Sequence, residues 1–154
     1  MMIISIAEQL LYHRRKSGVC YAYPVSTAAL GAGNRQGSFQ TPLGRHRIAE
    51  KIGDGLPLMT AFRARQPVQI YDPAKDDPRR DWILTRIIRL AGCETGKNRR
   101  GPVDSYARYI YIHGTHAEQQ IGAPASHGCI RMKNSDILEL FKHCHRGESV
   151  LIRA

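Results

Sequence analysis

Acidic side chains are scarce in this chain of 154 residues: 13 Asp and Glu stand against 23 Lys and Arg, a formal net charge of +10. The imbalance points to an anionic partner, nucleic acid or a small acidic substrate. The basic residues are not gathered on one helix and no RNA-binding aromatic signature accompanies them, so no nucleic-acid partner is expected. The four cysteines, Cys20, Cys93, Cys129 and Cys144, lack regular spacing and form no C-x-x-C pair, which argues against structural zinc. They read as free thiols of a reducing compartment, because a chain this long does not need disulfides. No apolar run is long enough to span a bilayer. The opening Met1-Met2-Ile3-Ile4-Ser5-Ile6 has no basic residues ahead of it and stops at Glu8, unlike a secretory signal. The expectation is a cytoplasmic protein with no membrane partner. Repeats and low-complexity tracts are also missing, and a hydrophobic fraction of 42% suffices for one core, so residues 1–154 read as a single domain.

Short strands dominate what is present. Met2 to Ile6, Leu10 to Arg14 and Val19 to Ser26 read as a meander, with a helix over Ile6 to Arg15 as the competing reading. Gly31 to Gly44 is a glycine-rich loop closed by the turn Thr41-Pro42-Leu43-Gly44, and Arg45 to Glu50 reads as a strand. Gly53 to Asp81 is polar and proline-bearing, with room for one short strand at Val68 to Tyr71, and reads as a lid or binding loop. Trp82 to Leu90 is apolar and reads as buried, and Gly92 to Arg108 is again polar and basic. Tyr109-Ile110-Tyr111-Ile112-His113 alternates: period two sends Ile110 and Ile112 to the core, and Tyr109, Tyr111 and His113 to the other face. After Met132 comes the one convincing helix, with Asn134 or Ser135 as cap, an apolar stripe of Ile137, Leu138, Leu140 and Phe141, and Gly147 as stop. Ser149 to Ile152 returns as a last strand. The fold class is mainly β, a mixed sandwich or barrel with one late α-helix.

The chemistry concentrates in His113-Gly114-Thr115 and Ser126-His127-Gly128-Cys129-Ile130-Arg131-Met132. A thiol is a weak nucleophile until a base or a positive field makes it a thiolate, and either His113 or His127 can supply the base. The helix that follows and the two histidines are expected to lower the Cys129 pKa. Against this stands a buried cysteine packed as a small hydrophobe, which the polar, glycine-flanked setting disfavours. The glycines let backbone N–H groups approach an oxyanion. His113 is the candidate base, with the Gly114 carbonyl able to orient its ring as a third member. His127 either lines the pocket or only holds the loop, and His116 reads as solvent-facing. Arg131 has a planar fork suited to a substrate carboxylate, with a structural ion pair as the equal alternative. Tyr109 and Tyr111 either line the cleft or cover a half-exposed sheet. A metal set of His113, His116, His127 and Cys129 does not match a metalloprotease spacing, and His143-Cys144-His145 points three ways on a helix. No metal and no cofactor are expected.

These residues resemble the YkuD-type L,D-transpeptidase family of bacterial peptidoglycan cysteine enzymes. Its pattern is His-Gly, a variable loop, then Ser/Thr-His-Gly-Cys, an apolar residue, and Arg or Asn; here these are His113-Gly114 and Ser126-His127-Gly128-Cys129-Ile130-Arg131. Tyr23-Pro24-Val25-Ser26-Thr27 and Thr41-Pro42-Leu43-Gly44 look like its earlier strand signatures, so the resemblance runs from Ile3 to the C-terminus. It implies a mainly β catalytic domain of the L,D-transpeptidase type and a thioester route. By matching positions Cys129 is the nucleophile, His113 the base and the Gly114 carbonyl its orienter. Amides around Gly128 and Cys129 form the oxyanion hole. Apart from the resemblance, Ser126 and His127 are candidates for the pocket, and Arg131 and Tyr111 for substrate binding. Two departures stand out: Ala28 where the family often has Gly, and His46 where many members have an aromatic.

The resemblance implies a peptidoglycan stem peptide or soluble anionic muropeptide as partner, and acylation by carbapenems. Crosslinking members usually carry an export signal or anchor; members similar to this chain without one act as L,D-carboxypeptidases, trimming tetrapeptide stems to tripeptides with release of D-alanine. Hydrolysis is therefore the first expectation and L,D-transpeptidation the second. A basic binding module that holds anionic ligands without cutting them is a third reading, of a different class. The basic loops Gly53 to Asp81 and Gly92 to Arg108 are expected to close over the ligand.

Overall fold

A computed structural model describes residues 1–154. Ten strands form one sheet: β1 (Met2–Ser5), β2 (Leu10–Arg14), β3 (Cys20–Ser26), β4 (Gly44–Ile52), β5 (Thr60–Arg63), β6 (Gln66–Ile70), β7 (Ile83–Gly92), β8 (Tyr111–Gly114), β9 (Ile130–Met132) and β10 (Ser149–Arg153). The order β4-β10-β1-β2-β3-β9-β8-β7 returns on itself because β7 also pairs with β4, which closes a mixed barrel of eight strands. β5 and β6 hang from β7 as a hairpin outside that circuit. Most pairs are antiparallel; β1–β10 and β8–β9 are parallel. The expected barrel alternative is the one realised. Its interior holds Met2, Ile4, Val25, Ile48, Ile88, Leu90, Ile112, Ile130, Met132 and Val150, all 0–1% exposed.

The single α-helix, α1 (Asn134–His143), packs on β7 and β8 and adds Ile137, Leu140 and Phe141 to that cluster. The N-cap position falls to Lys133, which makes no side-chain cap bond, so neither Asn134 nor Ser135 caps the helix. Asn134 is drawn inward instead: its Nδ2 donates to Thr115 O at 2.7 Å and its Oδ1 accepts from Thr85 Oγ1 at 2.6 Å. Gly147 is not the helix stop either. Cys144 closes α1 by donating to Leu140 O, and Gly147, at φ 86°, turns the chain into β10.

Two segments differ from expectation. Gly53 to Asp81 contains a hairpin, β5–β6, where one short strand was expected. The strand expected from Tyr109 starts at Tyr111, because Tyr109 sits at φ 56° and Ile110 lies outside the ladder. The alternation nonetheless holds: Ile110 and Ile112 join the interior, while Tyr111 packs on the outer side with Phe62, Ile87 and Cys129.

Candidate active site

The site is built on one face of the parallel pair β8–β9. Their register sets Ile112 beside Ile130 and His113 beside Arg131. Because side chains alternate along a strand, Tyr111, His113, Cys129 and Arg131 share the outer face, opposite the interior residues Ile112, Ile130 and Met132. The outer face is then roofed by loops. His113 is 1% exposed, and its Nδ1 lies 2.6 Å from Gly114 O. A carbonyl only accepts, so Nδ1 carries the hydrogen and Nε2 keeps its lone pair for chemistry. Gly114 cannot be enlarged: an added Cβ would meet Leu84 O at 2.7 Å and the Asn134 side chain closer still.

Cys129 lies in the turn before β9 and is partly exposed. Its sulfur accepts from Tyr111 N–H at 3.4 Å, and its S–H donates to Tyr109 O at 3.4 Å. The structure thus brings Cys129 and His113 to one face without a direct hydrogen bond in the resting state. Burial pushes the Cys129 thiol up to about 11, with Asp81 adding to the rise; Tyr111 N–H, Arg131 and Arg108 oppose it. Burial also lowers the His113 pKa, against opposition from Gly114 O and Asp81. The direction is the reverse of the depressed thiol pKa expected from the sequence. The first amide of α1, Asn134 N–H, is taken up by Glu118 Oε2, to which it donates at 2.8 Å.

The turn carrying Cys129 is held by hydroxyls. Ser126 Oγ donates to Cys129 O at 2.6 Å and accepts from Gly128 N–H at 3.2 Å. Thr41 Oγ1 donates to Gly128 O at 3.0 Å and accepts from Ala28 N–H at 3.0 Å, so the Thr41-Pro42-Leu43-Gly44 turn supports the thiol loop. Gly128 sits at φ 131°, a conformation side chains rarely adopt, with Gln40 O 3.4 Å from where a Cβ would be. The Gly128 amide is thus occupied, while the Cys129 amide donates to no carbonyl of the chain.

Two cavities flank the thiol loop. One, of about 230 Å³, is lined by Cys129, Tyr109, Arg108, Phe39, Gln36 and His127; the glycine-rich loop supplies its outer wall. The other, of about 410 Å³, is lined by Asp81, Arg79, Arg80, His116, His127 and Arg131. His127 stands between them, its side chain 65% exposed, with Nδ1 3.2 Å from Asp81 Oδ2 and its ring edge-on to Phe39 at 6.3 Å. Arg131 is buried and donates to Asp81 Oδ1 at 2.7 Å, so the ion-pair alternative describes its resting state. His116 is half-buried rather than free in solvent: its Nε2 lies 2.7 Å from Pro78 O, its ring packs on Tyr71, and it lines the larger cavity. Tyr111 is buried, with its hydroxyl accepting from Arg65 at 3.1 Å, so it supports the site from beneath the hairpin.

Asp81 and Arg108 were not foreseen as site residues. Asp81 ends the long loop Gly53 to Asp81, and only its place just before a buried strand hints at it. The departures are accommodated nearby. Ala28 is buried and bridges to Ser126. His46, 2% exposed, has Nδ1 2.9 Å from Gly44 O and Nε2 2.8 Å from Ser105 Oγ, which anchors the segment leading to Arg108.

Known proteins resemble this chain at the level of family and fold. The model of the YkuD family, the L,D-transpeptidase catalytic domain, matches residues 1–152. A probable L,D-transpeptidase ErfK/SrfK of Salmonella typhimurium is 29% identical over 158 residues, covering 98% of this chain and 43% of that protein. This chain thus spans less than half the length of that relative. Among solved structures, LD transpeptidase LdtMt1 in complex with imipenem superposes with a TM-score of 0.60 at 17% identity, over 99% of this chain and 57% of that one. L,D-transpeptidase 3 from Mycobacterium tuberculosis, in complex with a faropenem-derived adduct, gives 0.58 at 18% identity, over 99% and 59%. At these identities the structural likeness is one of fold, and it is the match over residues 1–152 that assigns membership: the chain belongs to the YkuD family of L,D-transpeptidase catalytic domains.

Proposed function

We propose that the chain is a cysteine acyltransferase acting on the L,D bond of a peptidoglycan stem peptide, with Cys129 as nucleophile and His113 as base. The observation that carries this is the common outer face of β8 and β9, on which His113, its Nδ1–H committed to Gly114 O, and a partly exposed thiol both stand. The resting pair is neutral on both sides, so the thiol proton moves to His113 Nε2 as sulfur meets the carbonyl carbon. The tetrahedral oxyanion takes the free Cys129 amide as donor. Its collapse breaks the C–N bond, and the leaving amine carries off the proton from His113. A thioester on Cys129 remains.

The second half-reaction transfers that acyl group to an amine or to water. Amine attack, which crosslinks two stems, is supported by the relatives named as probable L,D-transpeptidases and by the second cavity of about 410 Å³ across His127. Water attack, the carboxypeptidase outcome, is favoured by one feature: the Asp81–His127 pair at the mouth is 41% and 65% exposed, so solvent reaches the loop that holds the thioester. Incubation with a soluble tetrapeptide, read by mass spectrometry, separates them. A crosslinked dimer supports transfer, tripeptide alone supports hydrolysis, and neither product removes both. Cys129→Ala is expected to abolish product and the mass shift on incubation with a carbapenem; turnover surviving that change excludes Cys129 as nucleophile.

A further inference from the structure

The cavity that opens on Cys129 contains a cation with no counter-ion. The guanidinium of Arg108 is held by three neutral oxygens: Nη1 donates to Gly33 O at 3.3 Å, and Nη2 donates to Ser38 Oγ at 3.3 Å and to Gln40 O at 2.6 Å. These fix its position without cancelling its charge, and they leave two of its five N–H donors free. No carboxylate lines the 230 Å³ cavity. Nη2 also lies 3.9 Å from where a Cβ on Gly128 would sit, so the charge stands beside the residue preceding the nucleophile. The other cation near the thiol, Arg131, is already paired with Asp81 at 2.7 Å. An unpaired, half-buried guanidinium in a cavity sized for one small residue suits a ligand carboxylate.

We propose that Arg108 docks the free C-terminal carboxylate of the residue to be released, making the Cys129 cavity selective for the chain end. This specificity role rests on the acyl-transfer reading above. It places the terminal residue in the smaller cavity and the rest of the stem outside it. A substrate blocked at that end, as an amide, loses the charge that Arg108 recognises.

Two measurements test it, one independent of any peptide substrate. Iodoacetate and iodoacetamide alkylate a thiolate by the same step: sulfur displaces iodide and the S–C bond forms. They differ only in charge, so their rate ratio at one thiol cancels its thiolate fraction. With site-resolved mass spectrometry, the iodoacetate preference at Cys129 is expected to exceed that at the exposed Cys20 and Cys93 of the same molecule by about tenfold, the worth of one charge-assisted hydrogen bond. Arg108→Gln is expected to bring the ratio down to theirs, and Arg108→Lys to restore part of it. Equal preference at all three thiols in the unaltered protein overturns the proposal without need of a variant, as does a preference that survives Arg108→Gln. In peptide assays KM for the acid is expected to lie about tenfold below that for the C-terminal amide, a gap that Arg108→Gln closes. Should the alkylation preference appear while neither peptide is cleaved, the carboxylate site stands and the acyl-transfer reading fails; should the acid and the amide be cleaved alike, the specificity role fails.

Discussion

Cys129 and His113 show what burial does to two kinds of titrating group: it raises the thiol to about 11 and lowers the imidazole, and in both cases it disfavours the charged form. Below that pH the thiolate is the minor species. Alkylation of Cys129 by iodoacetamide is accordingly expected to rise about tenfold per pH unit from neutrality to about pH 10; a plateau near pH 7 contradicts the neutral resting pair. Asp81 raises the thiol pKa and Arg131 lowers it, so Asp81→Asn is expected to speed alkylation at pH 8, and slower reaction there contradicts that electrostatic assignment. His46 carries a second pH dependence, this one in stability. Burial lowers its pKa to about 4 against an unfolded value of 6.5, so between those pH values only the unfolded state takes up a proton. Stability from this group is complete above pH 6.5 and lost as pH falls to about 4, by about 3 kcal/mol. His46→Phe is expected to lower the urea midpoint at pH 7 through two lost hydrogen bonds and to flatten its decline toward pH 4; an unchanged slope rules His46 out as the source. That Cys129, His113 and the Gly114 carbonyl lie near one another was legible because they fall in two short motifs, one of them a strand whose alternation sets the face of His113. Asp81 and Arg108 were not, since they reach the site from loops with no period to read.

At the scale of elements, the legible parts were those with a repeating local signal, such as the strands β1 to β3 and the amphipathic α1. The β5–β6 hairpin was missed for a definite reason. Its two-residue loop is Ala64-Arg65, and both sit at positive φ, 47° and 66°. That geometry normally announces itself through Asn or Gly; here neither occurs, so the turn chemistry is absent from the sequence although the turn is made. The strain is held by contacts of Arg65, whose guanidinium reaches the Tyr111 hydroxyl at 3.1 Å and lies over the Tyr109 ring at 5.0 Å. Tyr111 and Tyr109 are the residues whose backbone N–H and carbonyl contact the Cys129 sulfur, which links the hairpin to the thiol. Ala64→Asn is expected to relieve about 0.5–1 kcal/mol of left-handed backbone cost and to raise Tm by about 2 °C, leaving alkylation of Cys129 unchanged. A lower melting temperature argues that the strain is not at this residue. The helix cap was missed for the converse reason: Asn134 has the right chemistry for a cap, but Thr115 O and Thr85 Oγ1 offer buried partners, and tertiary structure took the side chain.

For the whole molecule, barrel closure and charge act on the same place. Pairing of β7 with both β4 and β8 closes the circuit and lines up the outer face of β8–β9 beneath loops rich in arginine. Closure itself was invisible in the sequence, since no local pattern records that β4 meets β7. The excess of basic residues was visible, and the structure shows where part of it faces: Arg79, Arg80 and Arg131 line the larger cavity with Asp81 as its one carboxylate, and Arg108 lines the smaller. A cleft with an excess of one sign between low-dielectric walls concentrates oppositely charged ligands at its mouth. Salt screens this over about 10 Å at 0.1 M and about 3 Å at 1 M, so steering between cleft and ligand weakens well before short contacts do. For a stem peptide bearing several carboxylates, kcat/KM is therefore expected to fall severalfold as NaCl rises from about 0.05 to 0.5 M while kcat changes little. A peptide with its carboxylates amidated is expected to show a much flatter response. If both peptides lose activity in parallel, salt acts on the protein rather than on encounter, and the arginine-lined mouth has no role in drawing substrate in.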